Sequence, residues 1–200
     1  MIAERIEKKI KLIFGKRGSG KSYLTKKLIE NERRLVIHDT LWEYSNGVVF
    51  ENYMEFLKFW LHVYRGNYRL IYRPTDPAAE IDRLAQMVFL AGDLTFVVEE
   101  IDCFCTAHNI SEQFAHVIQR GRHQNITLIG VTQRPYGIHR LLTSQAKEIY
   151  VFNTNEVRDR DYLKSLLGQD IEGKLNQLGI DRWEFVKWQD GIEGLEIGRA

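Results

Sequence analysis

The chain has 200 residues, of which 28 are Lys or Arg and 27 Asp or Glu, for a net charge of +1, and 44% are apolar. That length and balance suit one globular domain with a sizeable core and exclude a global basic field, although a local basic patch stays open. No apolar run is long enough to span a bilayer and the opening MIAERIEKKIK is too charged for a secretory signal, so a soluble intracellular protein is expected.

In chain order, the first apolar run is IKLIF (10–14), read as a strand. It leads into GKRGSGKS, Gly15 to Ser22, which matches G-x-x-x-x-G-K-[ST] in the required setting of a strand before and a helix after. Gly15, Gly18 and Gly20 let the backbone curl so that successive N–H groups face phosphate oxygens. The following helix, Lys21 to about Asn31, brings its positive dipole end to the same place. Lys16, Arg17, Ser19 and Tyr23 complete the stretch expected to touch a nucleotide. Lys21 is expected to reach the β- and γ-phosphates, and the Ser22 hydroxyl to ligate magnesium. No local signature reads the base.

RLVIH (34–38) is the second strand. A helix around Tyr53 to Tyr64 places Phe56, Leu57, Trp60 and Leu61 on one face. YRLIY (68–72) is a strand, and Asp76-Pro77 reads as a cap and first-turn proline opening a helix that buries Ile81, Leu84, Ala85 and Val88. TFVVE (95–99) is the next strand, followed by a helix opening at Asn109, with Glu112 three residues on, that carries Ile110, Phe114, Val117 and Ile118. ITLIGVT (126–132) and EIYVF (148–152) are further strands, and Val157 to Leu167 a further helix. The order predicts an α/β fold, a mostly parallel sheet flanked by helices. The tail departs from it: WEFVKWQDGIEGLEIG reads as an antiparallel hairpin turning at Asp190-Gly191. A single domain over 1–200 is expected, with the motifs in about 9–155 and a helical segment and hairpin in about 156–200. Cys103 and Cys105 are too close for an ordinary disulfide and read as reduced, buried structural thiols rather than metal ligands.

TFVVEEID ends an apolar strand in acids, the pattern of a metal-and-water strand beside a P-loop. Glu99 is the candidate for holding magnesium through water, and Glu100 for polarising an attacking water. Asp102 is a third acid nearby. Neighbouring strand residues point to opposite faces, so Glu99 and Glu100 can act together only if the chain turns here. A similar question attaches to Gln133, a polar amide that closes the buried run LIGVT and precedes Arg134 and Pro135. If 126–132 lies between the strand before the P-loop and the strand carrying the acids, Gln133 faces the γ-phosphate and can donate one hydrogen bond while accepting another.

Together these residues resemble the HerA/FtsK superfamily of ring-forming, DNA-pumping P-loop ATPases of RecA-like fold, over roughly residues 9–155. GKRGSGKS and FVVEEID look like its Walker A and Walker B motifs. VIHDTLWEYS looks like its second strand, ending in Asp39 with Glu43 and Tyr44 after it. Gly121-Arg122 and Thr132-Gln133-Arg134-Pro135 sit where the family carries a Gly-Arg pair and Thr-Gln-Arg-Pro. Glu99 departs from the family's usual Asp. The resemblance implies Mg2+-dependent ATP hydrolysis in a homo-oligomeric ring, expected to be a hexamer, with ATP between subunits. Arg122 is then the first candidate for an arginine finger in trans, with Arg120 and Arg73 in reserve. Without a preceding β-barrel, a winged helix or a membrane anchor, the chain looks most like the small genome-packaging ATPases of membrane-containing icosahedral viruses, archaeal ones included. That implies double-stranded DNA as partner, a capsid, portal or membrane protein as a further one, and a virion-associated or host-cytoplasmic location.

DNA contacts are expected to be non-specific, with RPYGIHR (Arg134, His139, Arg140) and the surroundings of Lys58 and Arg65 as candidates. A small-molecule nucleotide or nucleoside kinase, and an assembly or secretion ATPase of the zonular-occludens-toxin type, remain alternatives. A GTPase switch finds no Asn-Lys-x-Asp segment to support it.

Overall fold

A computed structural model describes residues 9–179 and 182–200. Its elements, in chain order, are β1 (Ile10–Phe14), α1 (Lys21–Leu28), β2 (Arg34–His38), β3 (Val48–Phe50), α2 (Tyr53–Val63), β4 (Tyr68–Tyr72), α3 (Pro77–Ala91), β5 (Leu94–Val98), α4 (Glu112–Arg120), β6 (Ile126–Thr132), α5 (Arg140–Ser144), β7 (Ala146–Phe152), α6 (Val157–Leu167), α7 (Asp170–Gln177), β8 (Glu184–Gln189) and β9 (Glu196–Arg199). The strands form one sheet in the order β3-β4-β2-β5-β6-β1-β7-β8-β9. Pairing is parallel from β3 to β7 and antiparallel across β7-β8-β9.

Burial on both faces explains why the central strands are continuous apolar runs. All seven residues of β6 and all five of β5 are buried. Alternate side chains feed two cores: Leu12, Phe14, Val36, Phe96 and Leu128 pack with residues of α2, α3, α4, α6 and α7, while Ile13, Leu35, Ile37, Val97 and Ile129 pack with Leu24 of α1. The sheet therefore carries helices on both sides, and the C-terminal ends of β1, β2, β5 and β6 share one edge.

Local sequence sets several helix starts. The Asn52 side chain accepts from the Met54 and Glu55 N–H groups at 2.9 and 3.2 Å, and Asp76 accepts from Ala79 N–H at 3.1 Å with Pro77 in the first turn. Each satisfies backbone donors that a helix leaves orphaned. Four expectations need correction. α4 starts at Glu112, capped at Ser111, because Asn109 is taken by a turn in which its carbonyl accepts from Thr106 N–H, and Ile110 bridges to Cys105. α1 stops at Leu28 and not near Asn31, since Lys27 and Ile29 carbonyls already close turns there. Leu61 is 55% exposed, the inner face of α2 being made by Phe56 and Trp60. Cys105 is buried, with its thiol pushed up to about 11 by burial, but Cys103 is exposed. The short elements β3, α5 and α7 carry too few residues to show a period. The expected hairpin forms, with Ile192 N–H closing a turn on the Gln189 carbonyl across Asp190-Gly191. Among the described residues no helix is long and apolar enough to cross a membrane.

Candidate nucleotide-binding site

β1 ends at Phe14, and the chain turns through Gly15–Gly20 into α1. Gly20 caps that helix in the left-handed region (φ 105°), as does Gly18 within the loop (φ 76°), conformations that a Cβ disfavours. No side chain caps the first N–H groups of α1, which leaves them open to an anion. Ser19 Oγ is buried without a hydrogen-bond partner among the described residues. Lys21 is buried too, and its Nζ donates to the Lys16 carbonyl at 3.0 Å. Burial pulls the Lys21 ammonium below its ordinary range, against Glu99, Glu43, Asp102 and Glu100, which pull it back up. A buried, under-partnered cation beside an orphaned hydroxyl suits an anion.

The acids arrive from β5. The strand ends at Val98, Glu99 N–H extends the ladder by donating to the His38 carbonyl at 3.2 Å, and Glu100 then turns the chain with φ 47° and ψ 46°. A left-handed glutamate is strained by roughly 1–3 kcal/mol. It is also what lets two adjacent acids face one cavity. That cavity, of about 410 Å3, is lined by Lys21, Ser22, Glu99, Glu100, Gln133 and Trp183, among others. Gln133 reaches it because β6 lies between β5 and β1, with Phe14 opposite Thr132 and Val98 opposite Gly130.

Glu99 is 1% exposed and accepts a hydrogen bond from the Tyr44 hydroxyl. Burial pushes its carboxyl up to about 7; the Tyr44 bond and Lys21 oppose the rise, and Glu43 and Asp39 add to it. Tyr44 is positioned by Asp39, whose carboxylate accepts from the Glu43 and Tyr44 N–H groups at 2.9 and 3.3 Å. Ser22 and Glu99 open on the same cavity, so a hydroxyl and a carboxylate of the kind that suits magnesium stand together.

The loops beyond the acids and beyond Gln133 are tied to each other. Thr132 Oγ1 donates to Asp102 at 2.5 Å and accepts from Arg134 N–H at 2.9 Å. Thr106 bridges Ile138, and His139 N–H donates to the Cys105 carbonyl at 3.2 Å. The acidic turn and the RPYGIHR segment are thus joined by direct hydrogen bonds.

The arginines separate. Arg73 ion-pairs with Asp39 at 3.2 Å and donates to the Tyr44 carbonyl at 3.0 Å, so it is committed inside its own chain. Arg134 pairs with Asp159 at 3.4 Å and Glu156 at 3.5 Å, and His139 is occupied as the cap of α5. Lys58, Arg65, Arg120, Arg122 and Arg140 are exposed. Arg122 lies in a turn before β6, at the opposite end of that strand from Gln133, roughly 20 Å away at about 3.3 Å per residue. It does not line the cavity of its own chain. Glu43, named above in VIHDTLWEYS, lines the cavity, as do Leu41 and Trp183, for which the local sequence gives no signal.

No family model matches the sequence, and a search of curated proteins finds no match. Solved structures do match. The genome packaging NTPase B204 of Sulfolobus turreted icosahedral virus 2, in complex with AMPPCP, superposes with a TM-score of 0.80 at 20% identity, over 96% of this chain and 97% of that one. B204 of Sulfolobus turreted icosahedral virus, described as a DNA-packaging ATPase, gives 0.75 at 19% identity, over 96% and 97%. The N-terminal domain of zonular occludens toxin from Neisseria meningitidis gives 0.56 at 14%, over 97% and 94%. At these identities the likeness establishes a shared fold, the P-loop ATPase α/β fold expected from the sequence.

Proposed function

We propose that this chain is a single-domain ATPase that moves double-stranded DNA, packaging a viral genome, and that it works as a homo-oligomeric ring, expected to be hexameric. The observation that carries the reading is the meeting of Lys21, Glu100 and Gln133 on one cavity. The full-length likeness to proteins described as packaging NTPases supports the task. It favours DNA packaging over the zonular-occludens-toxin alternative, whose likeness is weaker.

In this reading the Gly15–Ser22 backbone and Lys21 hold the triphosphate, with Arg17 at its exposed side. Ser22 and Glu99 would hold Mg2+, which supplies positive charge to the phosphate oxygens. Glu100 accepts the proton of the water that attacks the γ-phosphorus, as the bond to the β–γ bridging oxygen breaks. Gln133 donates to the γ-phosphate or to that water and so registers whether the phosphate is there. The Thr132–Asp102 and Thr106–Ile138 ties then pass the change to residues 134–140. Within that segment Arg140 is exposed and is the basic side chain offered to DNA phosphates. Arg122, exposed and outside the lining of its own cavity, is offered to a neighbour's.

The test is phosphate release from Mg–ATP with and without double-stranded DNA, beside a mass measurement with nucleotide present. DNA-stimulated hydrolysis by an assembled ring is expected. Phosphate transfer to a small acceptor with no response to DNA would replace this reading with the kinase one.

A further inference from the structure

Two large aromatic rings stand at the mouth of the phosphate loop with half their surface in water. Tyr23, in the first turn of α1, is 51% exposed, and Trp183, before β8, is 45% exposed. Their centroids lie 5.1 Å apart at 38°. Both line the cavity that holds Lys21 and Ser22. Tyr23 is not among the buried residues of α1, which are Lys21, Leu24 and Thr25. Neither ring is explained by the core.

Trp183 is brought there by distant chain. It adopts a left-handed conformation (φ 50°), and its carbonyl accepts from Ala200 N–H at 3.0 Å, which anchors it to the end of β9. A Cβ on Gly20 would meet Trp183 Cβ at 3.0 Å and Cγ at 3.1 Å, so the glycine at that cap lets the indole pack closely on the loop. A strained, multiply held aromatic against a phosphate loop has the character of a ligand clamp.

We infer that Trp183 and Tyr23 form the nucleobase subsite of the cavity, a planar base packing against their exposed rings while the triphosphate lies along Gly18–Ser22. The inference rests on the nucleotide reading and adds to it the part of the ligand that the sequence left unread. Stacking onto aromatic side chains suits any base, since each presents a π-face, and such contacts are worth about 1–3 kcal/mol per base.

The test measures binding of Mg–ATP and of Mg–tripolyphosphate, which has the phosphates and no base, to the full chain and to Trp183→Ala, Tyr23→Ala and Trp183→Phe. Expected is a loss of about 5- to 140-fold in ATP affinity for Trp183→Ala, at 1.4 kcal/mol per tenfold. Tyr23→Ala loses less, Trp183→Phe keeps most of the affinity, and tripolyphosphate binding changes by no more than about twofold. Retained tripolyphosphate binding also shows that the variants are folded. ATP affinity untouched by either alanine, or ATP and tripolyphosphate weakened equally, overturns the clamp and leaves the phosphate site standing. A wild-type protein that bound neither ligand would overturn the nucleotide site and the clamp with it.

Discussion

Two glutamates of this sheet are almost fully buried, and they have opposite fates. Glu99, beyond β5, is pushed up to about 7 by burial, with a tyrosine hydroxyl as its hydrogen-bond donor. Glu148, on β7, is 5% exposed; burial would raise it too, but ion pairs to Lys9 at 2.9 Å and Lys11 at 3.3 Å, with the Tyr150 hydroxyl at 2.8 Å, hold it down at about 2. The second is a finished structural contact joining β1 to β7. The first, raised by burial and opening on the cavity, is suited to a cation, which is how a binding site differs from a rivet.

The widest separation is expected at the surface. Arg122→Ala should leave thermal unfolding unchanged and cut turnover by about 10³–10⁵-fold if it acts on a neighbour's phosphate. Mixing it with Glu100→Gln protein should restore part of the rate, since each could complete the other's site. No recovery at any ratio would place its action within one chain or nowhere. Glu100→Gln alone should bind ATP and lose about 10²–10⁴ in phosphate release. Normal hydrolysis would move the proton-accepting role to Glu43 or Asp102.

The two buried glutamates can then be set against each other directly. Glu148's folded value lies below the 4.5 of an ordinary glutamate, so its stabilisation is present above pH 4.5 and is lost as pH falls toward 2. Glu148→Gln should cost on the order of 3 kcal/mol at pH 7 and remove that part of the acid transition. Glu99 runs the other way: its folded value lies above 4.5, so its contribution falls as pH rises from 4.5 through about 7. Glu99→Gln should therefore raise the melting temperature at pH 8 while abolishing turnover. Loss of stability instead would make Glu99 another rivet. The smallest effect belongs to a purely local device: Asp76→Ala should cost about 1 kcal/mol through the cap of α3, with hydrolysis unchanged.

The sequence by itself determined the strand and helix order, the phosphate loop and the parallel character of the sheet. Those depend on residues close in the chain: glycines in one turn, apolar runs buried on both faces, an Asp-Pro cap. It left β3, α5 and α7 unread, being too short or too polar to show a period. Tertiary structure decided the rest, because it depends on which distant segments become neighbours. Inserting β6 between β5 and β1 carries Gln133 to the same cavity as Lys21, and a left-handed Glu100 turns a second acid toward it. Arg73 reads like a free arginine until Asp39 is seen beside it. Trp183 meets Gly20 only because the C-terminal hairpin folds back along β7, a contact between residues more than a hundred and sixty apart that no local pattern could encode.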